Sequence, residues 1–524
     1  MSGKHRIARA AGVMSIATLI SRLLGFARDM TIAFYLGATG LSDAFYVSFR
    51  IPNLLRELFA EGSMSSGLIP ILSEYHMKES PEKARELTRV VFTFLLFVVG
   101  GISVLGIIFA PAIIGLIAPG FLGNPEKFHL TVMLTRIMFP FLLFVSLSAL
   151  LMGALNTRGV FFIPALAPAV LNVVMIVVVI SIASYSPAIA AAVGVALGGL
   201  VQFAFQIPSY MRAGYDLKLA PEFRHPGLVK IGRLVLPATL AMAVSQINVV
   251  VSNILASFLP SGSITYLFYS MRLIHFPIGV FGVAMGLAVL PALSQHALKE
   301  DYESLRHDFS FALRVLFFLS LPSMAGLIAL RVPIVSTLFL RGRFDYAATA
   351  GTAGALLFYA PGIWAMVGVR VLTSTFYAMQ DTRRPVKSAI IALLVNLALS
   401  AALMYPMKHE GLALANAIAS IVNFSVLFYY LRRKIARVDG RRILRSVSKT
   451  GFASLVMGIA GYMVLRSDIW DKPGLSAQKA VRLAGGISLS IGIYILLCYL
   501  LKSEELAFML DAFKRRFFKK ANAV

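Results

Sequence analysis

The chain has 524 residues, 58% of them hydrophobic and 14% charged, with a mean hydropathy of +0.80; a soluble surface needs about a quarter charged residues, so this composition excludes a soluble globular protein. The formal charge of +25 then reads as cation placement around membrane spans, not as a nucleic-acid surface. Cys498 is the single cysteine, which excludes an intramolecular disulfide and a cysteine metal site; no His-Glu-x-x-His, Gly-x-Ser-x-Gly or Gly-Lys-Ser/Thr stretch occurs.

Apolar stretches of about 20 residues, the length that crosses a bilayer, are centred at roughly 25, 60, 100, 143, 173, 199, 245, 280, 325, 362, 395, 420, 456 and 490. The opening "MSGKHRIARA" resembles the start of a signal peptide, but no small-residue cleavage site follows it, so the first stretch reads as a retained span. With the amino terminus taken as cytoplasmic, the segments on that side carry most of the 49 lysines and arginines. The positive-inside rule then puts both termini in the cytoplasm.

Span 1 holds Arg22, Arg28 and Asp29, although each charge at a helix centre costs about 2.5–3.5 kcal/mol on insertion scales. Arg22 and Asp29 are seven residues apart and share one face, two turns apart; Gly25 between them offers a place to bend. Span 2 repeats charge every seventh residue, at Asp43, Arg50 and Glu57, with Tyr46, Asn53 and Glu61 in the same stripe, Arg56 beside it and Pro52 as an expected kink. A stripe of this kind cannot face lipid.

The pattern returns after about 222 residues: "FYVSFRIPNLLRELFAEGSMSSGLIPILSEYH" (45–76) matches "FYSMRLIHFPIGVFGVAMGLAVLPALSQH" (268–296), which aligns Arg50 with Arg272 and Pro70 with Pro291. "ALNTRGVFFIPALAPAVLN" (154–172) parallels "AMQDTRRPVKSAIIALLVN" (378–396) at a similar offset. An even number of spans separates the copies, so they share one orientation.

The expected architecture is therefore an all-α polytopic membrane protein of about 14 transmembrane helices. Residues 1–222 form an N-lobe of spans 1–6, residues 223–440 a C-lobe of spans 7–12, residues 441–502 spans 13–14, and residues 503–524 a cytoplasmic interfacial tail. In span 8, Arg272 and His275 are the embedded polar residues of the repeated stripe.

Two-lobed parallel repeats are the plan of alternating-access transporters. Arginine presents a planar fork of donors matched to phosphate oxygens, so Arg22, Arg28, Arg56 and Arg272 point to an anionic, phosphorylated substrate. Internal pairing, for instance of Arg28 with Asp43, explains the same residues, and for Asp43, Arg50 and Glu61 the two readings stand level. Arg136, Arg331 and Arg370 lie within snorkelling reach of a helix end, and Asn172 and Asn396 suit interhelical hydrogen bonds.

These residues resemble the MurJ (MviN) family of lipid II flippases: "SRLLGFARD" in span 1, "TGLSDAFYVSFRIPNLLRELFAEGSMSSGLIPILSEY" in span 2, "GALNTRGVFFIPALAPAVLN" and "FPIGVFGVAMGLAVLPALS" carry the likeness. The resemblance implies the fold of the MOP exporter superfamily, with a V-shaped cavity between lobes and a lipid-facing groove formed with spans 13 and 14. It implies the substrate lipid II, an undecaprenyl-diphosphate-linked peptidoglycan precursor moved to the outer leaflet of the bacterial cytoplasmic membrane. By the same resemblance Arg22, Arg28, Asp29, Asp43, Arg56, Glu61 and Arg272 are the substrate-binding residues. It further implies no metal or cofactor, membrane potential or an unidentified ion as the drive, and a monomer that contacts membrane lipids and no nucleic acid. Another MOP-superfamily exporter, of drugs or of a polyprenyl-linked glycan, and a membrane glycan polymerase or ligase are the alternatives; the arginine-rich stripe disfavours cationic drugs, and acids clustered in spans 1 and 2 disfavour an enzyme with carboxylates in outward loops.

Overall fold

In the computed structural model, residues 3–58, 63–435, 438–474 and 476–511 are described. The chain divides into two compact units, Met1–Ile264 with Gly342–Phe344, and Thr265–Arg341 with Asp345–Val524. The first contains α1 (Gly3–Leu36), α2 (Gly40–Arg56), α3 (Ser63–Lys78), α4 (Pro81–Ile108), α5 (Ala110–Ile117), α6 (Pro125–Met138), α7 (Pro140–Thr157), α8 (Phe162–Ile182), α9 (Pro187–Arg212) and α10 (Pro226–Ser257). The second contains α11 (Ser263–Pro277), α12 (Ala284–Leu298), α13 (Tyr302–Ala329), α14 (Arg331–Phe339), α15 (Tyr346–Tyr359), α16 (Ile363–Ala378), α17 (Arg383–Ile435), α18 (Gly440–Val464) and α19 (Ser476–Leu500).

The protein is an all-α polytopic membrane protein. Among the described residues, nine helical runs are long and apolar enough to cross a membrane. One of them, α17, holds the stretches expected at 395 and 420, because Lys408 (φ 50°, ψ −132°) breaks it into two helices. The stretches expected at 25, 60, 245 and 280 fall in α1, α2 with α3, α10, and α11 with α12.

Local chemistry sets the helix starts. Thr39 and Ser42 form a reciprocal capping box at α2, and Ser80 caps α4, whose first residue is Pro81; each supplies an acceptor to backbone N–H groups that the first turn leaves without partners. Within the first unit α8 packs between α1 and α9, and α7 packs on α9. The core there is Leu68 and Leu72 of α3 with Leu87 and Val91 of α4 and Leu150 and Leu151 of α7. Leu228 and Ile231 join it, which seats the start of α10 on α3 and α4. Such contacts hold membrane helices by close packing, since lipid is as apolar as the side chains.

The α1–α2 turn depends on Gly37. Its φ is +62°, and a Cβ there would lie 2.4 Å from the carbonyl oxygen of Arg343, whose own N–H donates to the Phe34 carbonyl at 2.8 Å. Gly37→Ala is expected to cost about 1–3 kcal/mol in backbone strain alone and to lower the melting temperature of the purified protein by several degrees. Gly115→Ala, where nothing lies within 4 Å, should leave it unchanged.

Outside the spans, Arg89 of α4 donates Nε to Asp216 Oδ1 at 2.6 Å, and its Nη2 reaches Oδ2. This pairing holds the Asp216 carboxyl below its ordinary 3.8, at about 2. The folded group is the stronger acid, so its stabilisation is complete above about pH 4 and is lost as pH falls toward 2. Arg89→Ala should erase that part of the acid dependence of the melting temperature.

After α19 the chain turns at Lys502, where φ is 51°, into a helical turn at 504–511. Glu505, buried, accepts from Arg314 Nη1 of α13 at 2.8 Å and from Ser446 Oγ of α18 at 2.9 Å. Arg314 also reaches Glu504 at 2.8 Å. Arg442 binds Glu504 at 2.9 Å and holds its carboxyl below the ordinary value. The tail expected from residue 503 onward is thus fastened to α13 and α18 through residue 505; residues 512–524 lie outside the described residues.

Candidate functional site

Three polar clusters occupy the first unit at positions that the charge pattern singled out. In α1, Arg28 donates Nε and Nη2 to Asp29 Oδ1 at 3.0 and 2.6 Å, and Nη1 to Asn172 Oδ1 of α8 at 3.1 Å. Asn172 in turn donates Nδ2 to the Ser21 carbonyl at 3.2 Å. Asp29 is 1% exposed. The fork of Arg28 is thus held from two helices, with its own neighbour neutralising it. Asn172 makes the interhelical bond expected of it. Arg22, six residues earlier on α1, is exposed.

At the end of α2, Arg56 donates Nε to Asn53 Oδ1 at 3.1 Å and lies 3.8 Å from Glu57 Oε1. Asn53 Nδ2 donates to Glu57 Oε1 at 3.0 Å, and Gln246 Nε2 of α10 donates to Glu57 Oε2 at 2.7 Å. Asn53, Arg56 and Glu57 follow the i, i+3, i+4 spacing that places them on one helix face. Glu61 lies outside the described residues.

Asp43, at the start of α2, belongs to a third group. Its Oδ2 accepts from Lys127 Nζ of α6 at 3.1 Å and from the Gly262 backbone N–H at 2.7 Å, and it is 1% exposed. Lys127 also lies 4.1 Å over the centroid of the Phe121 ring. The acid expected to compete for Arg28 is therefore engaged by Lys127. Sequence reasoning missed Lys127, because "NPEK" (124–127) reads only as a helix start.

The heptad Asp43–Arg50–Glu57 is one stripe in sequence and separate groups in space, with Asp43 on α6 and Glu57 on α10. Pro52 does not end the helix. α2 runs through it to Arg56, and residues 59–62 lie outside the described residues.

In the second unit a helix break lies among the described residues. α11, with Arg272 half-buried and His275 exposed near its end, passes into a π turn at Ile278–Val283 before α12. Such turns recur at functional sites because they re-aim the side chains beside them. A cavity of about 470 Å³ in this unit is lined by Arg370, Thr373, Ser374 and Tyr377 of α16 with Ser420 and Asn423 of α17; Arg370, expected only to snorkel, lies on a polar wall. Arg136 does reach a helix end, where it donates Nε to the Ile107 carbonyl at 3.2 Å. Asn396 is buried and accepts from Ser400 at 3.3 Å. No group of three or more histidines, cysteines or carboxylates that could hold a metal occurs among the described residues.

Known proteins match nearly the whole length of the chain. The family model described as "Lipid II flippase MurJ" matches residues 32–476. The MurJ of Vibrio cholerae is 35% identical over 508 residues, which cover 95% of this chain and 96% of the relative. The protein named "Lipid II flippase MurJ" of Burkholderia cenocepacia is 35% identical over 482 residues, 91% of this chain and 93% of its own. Among solved structures, "Lipid II flippase MurJ, inward closed conformation" aligns with a TM-score of 0.75 at 27% identity, covering 93% of this chain and 99% of that one. An inward-facing MATE transporter of the MOP superfamily aligns at 0.64 and 16% identity, a likeness of fold alone. Since the family model spans most of the chain and the chain covers nearly the full length of its relatives, the chain belongs to the MurJ lipid II flippases.

Proposed function

We infer that this protein carries lipid II across the bacterial inner membrane by alternating access, and that Arg22, Arg28, Arg56 and Arg272 supply the guanidinium groups that bind the diphosphate. The observation that carries the reading is the Arg28–Asp29–Asn172 cluster: a guanidinium oriented by a buried acid and by a second helix is preorganised for a planar, bidentate partner. In this proposal Asp29 positions Arg28, Asn53 and Glu57 position Arg56, and Asp43 with Lys127 fixes the start of α2. Glu61 belongs to it on sequence position alone.

The chain is a transporter and not an enzyme. Movement of lipid II requires no cofactor in this proposal, because the membrane potential, worth about 2.3 kcal/mol per charge per 100 mV, or a coupled ion supplies the drive. The protein acts as a monomer with membrane lipids around it.

The test is depletion in a bacterium that depends on this chain, followed by assay of lipid II at the outer leaflet. Precursor that accumulates without exposure supports transport; precursor exposed but not polymerised overturns it. The proposed orientation, with both termini cytoplasmic, has its own check. Cysteines placed in the 118–127 and 258–263 segments should react with an impermeant outside reagent and cysteines at 80 and 220 should not; the reverse labelling would invert the topology.

A further inference from the structure

A cavity of about 220 Å³ lies at one end of the second unit, where α13 ends, α14 begins and the loop between α18 and α19 passes. None of the residues assigned to lipid II binding lines it. Its floor is apolar, from Val332, Pro333, Leu465 and Trp470. Its rim carries Arg331 and Arg466 with Ser467, and one acid, Asp471. Arg331 is anchored through Nη1 to the Ile328 carbonyl at 2.8 Å, and Arg466 is exposed.

The loop that forms one wall is pinned. Trp470 Nε1 donates to the Leu465 carbonyl at 2.5 Å, and the Trp470 carbonyl accepts from Ser336 Oγ of α14 at 2.6 Å. Lys479, 1% exposed, donates Nζ to that same Ser336 Oγ at 2.9 Å and to the Lys472 carbonyl at 2.5 Å. A buried lysine whose bonds fix a short loop holds the wall in one geometry. A pocket built this way does not have to be ordered when a ligand enters, which is where much of a site's affinity is otherwise lost.

We propose that this pocket binds the phosphodiester headgroup of a membrane lipid. Two arginines against one aspartate leave the rim with a single positive charge, matched to a monoanionic phosphodiester and poorly matched to a dianion. Guanidinium forks bind phosphate oxygens in pairs. An apolar surface leads away from the rim: Phe452, Leu455, Ile459, Tyr462 and Met463 of α18 are all exposed and follow the spacing of one broad helix face. Acyl chains lie along that face with the headgroup in the pocket, and the exposed Tyr462 ring suits the interfacial position where such rings are favoured. This surface distinguishes a lipid from a free anion of the same charge. The pocket is tested by binding, with a readout independent of flipping.

The experiment is native mass spectrometry of the full chain in detergent, titrated with phosphatidylglycerol. Wild-type protein is expected to retain the lipid at least tenfold more tightly than Arg466→Gln, and Arg331→Gln/Arg466→Gln is expected to lose it. Arg466 is exposed, so its substitution leaves the fold intact and keeps the test valid if the double variant does not fold. Inorganic phosphate at millimolar concentration should not displace the lipid. Undecaprenyl phosphate, a phosphomonoester that is largely dianionic at about pH 8, should compete poorly, and its displacing phosphatidylglycerol at equal concentration overturns the phosphodiester assignment. Equal retention by wild type and a folded Arg466→Gln overturns the proposal, as does displacement by inorganic phosphate.

Discussion

Arg28→Ala is expected to abolish outer-leaflet exposure of lipid II and to lower the melting temperature. The substitution takes from Asp29, 1% exposed, the guanidinium bonded to it at 2.6 and 3.0 Å. Breaking a buried pair from one side costs about 3–5 kcal/mol, enough to reduce abundance as well. Loss of transport alone therefore does not separate a substrate-binding arginine from a structural one. The double variant Arg28→Ala/Asp29→Ala does, because removing both charges restores stability. It is expected to reach near-normal abundance and still fail to expose lipid II. Transport by the double variant would mean that Arg28 serves only to neutralise Asp29. Asn172→Ala should have a smaller effect, since it removes two bonds of an uncharged amide, at 3.1 and 3.2 Å, and leaves the ion pair.

The second large effect is at Arg272, which the repeat aligns with Arg50 and which lies on α11 nearly two turns before the π segment Ile278–Val283. Arg272→Ala should eliminate flipping at near-normal membrane abundance. Arg272→Lys keeps the charge and loses the fork, and a charge-assisted hydrogen bond is worth about 1.5–3 kcal/mol, so its rate should fall roughly 10- to 100-fold in a vesicle flipping assay. A fully active lysine variant would show that charge alone suffices. Loss of protein in both variants would assign Arg272 to structure, and normal flipping by Arg272→Ala would remove it from the diphosphate site.

Much of this was legible in the sequence because the bilayer imposes simple rules. Length and hydropathy placed the spans, since backbone groups in lipid must be satisfied within helices. The cost of embedded charge picked out Arg28, Asp29, Asp43 and Arg56. What the sequence concealed is partner choice. Lys127, Gln246, Arg314 and Lys479 each bond to groups far along the chain, to Asp43, Glu57, Glu505 and Ser336, and no periodicity encodes those distances. Pro52 lacks an N–H, and α2 still runs through it as one helix; in the second unit α11 gives way to a π turn, a device without a residue signature.

The fastening of Arg314 to Glu505 also sets an order of events during synthesis. The two residues are 191 positions apart, and ribosomes add about 5–20 residues per second. Arg314 therefore enters the growing protein roughly 10–40 s before its acid exists. Through that interval α13 carries a cation whose eventual burial, 4% exposed, is not yet compensated. α18 and α19 are made within the same window, and the part of their fastening to α13 that runs through Arg314 waits on residue 505. Assembly of the second unit is in this sense post-translational, completed by a carboxylate that arrives after every span has been made.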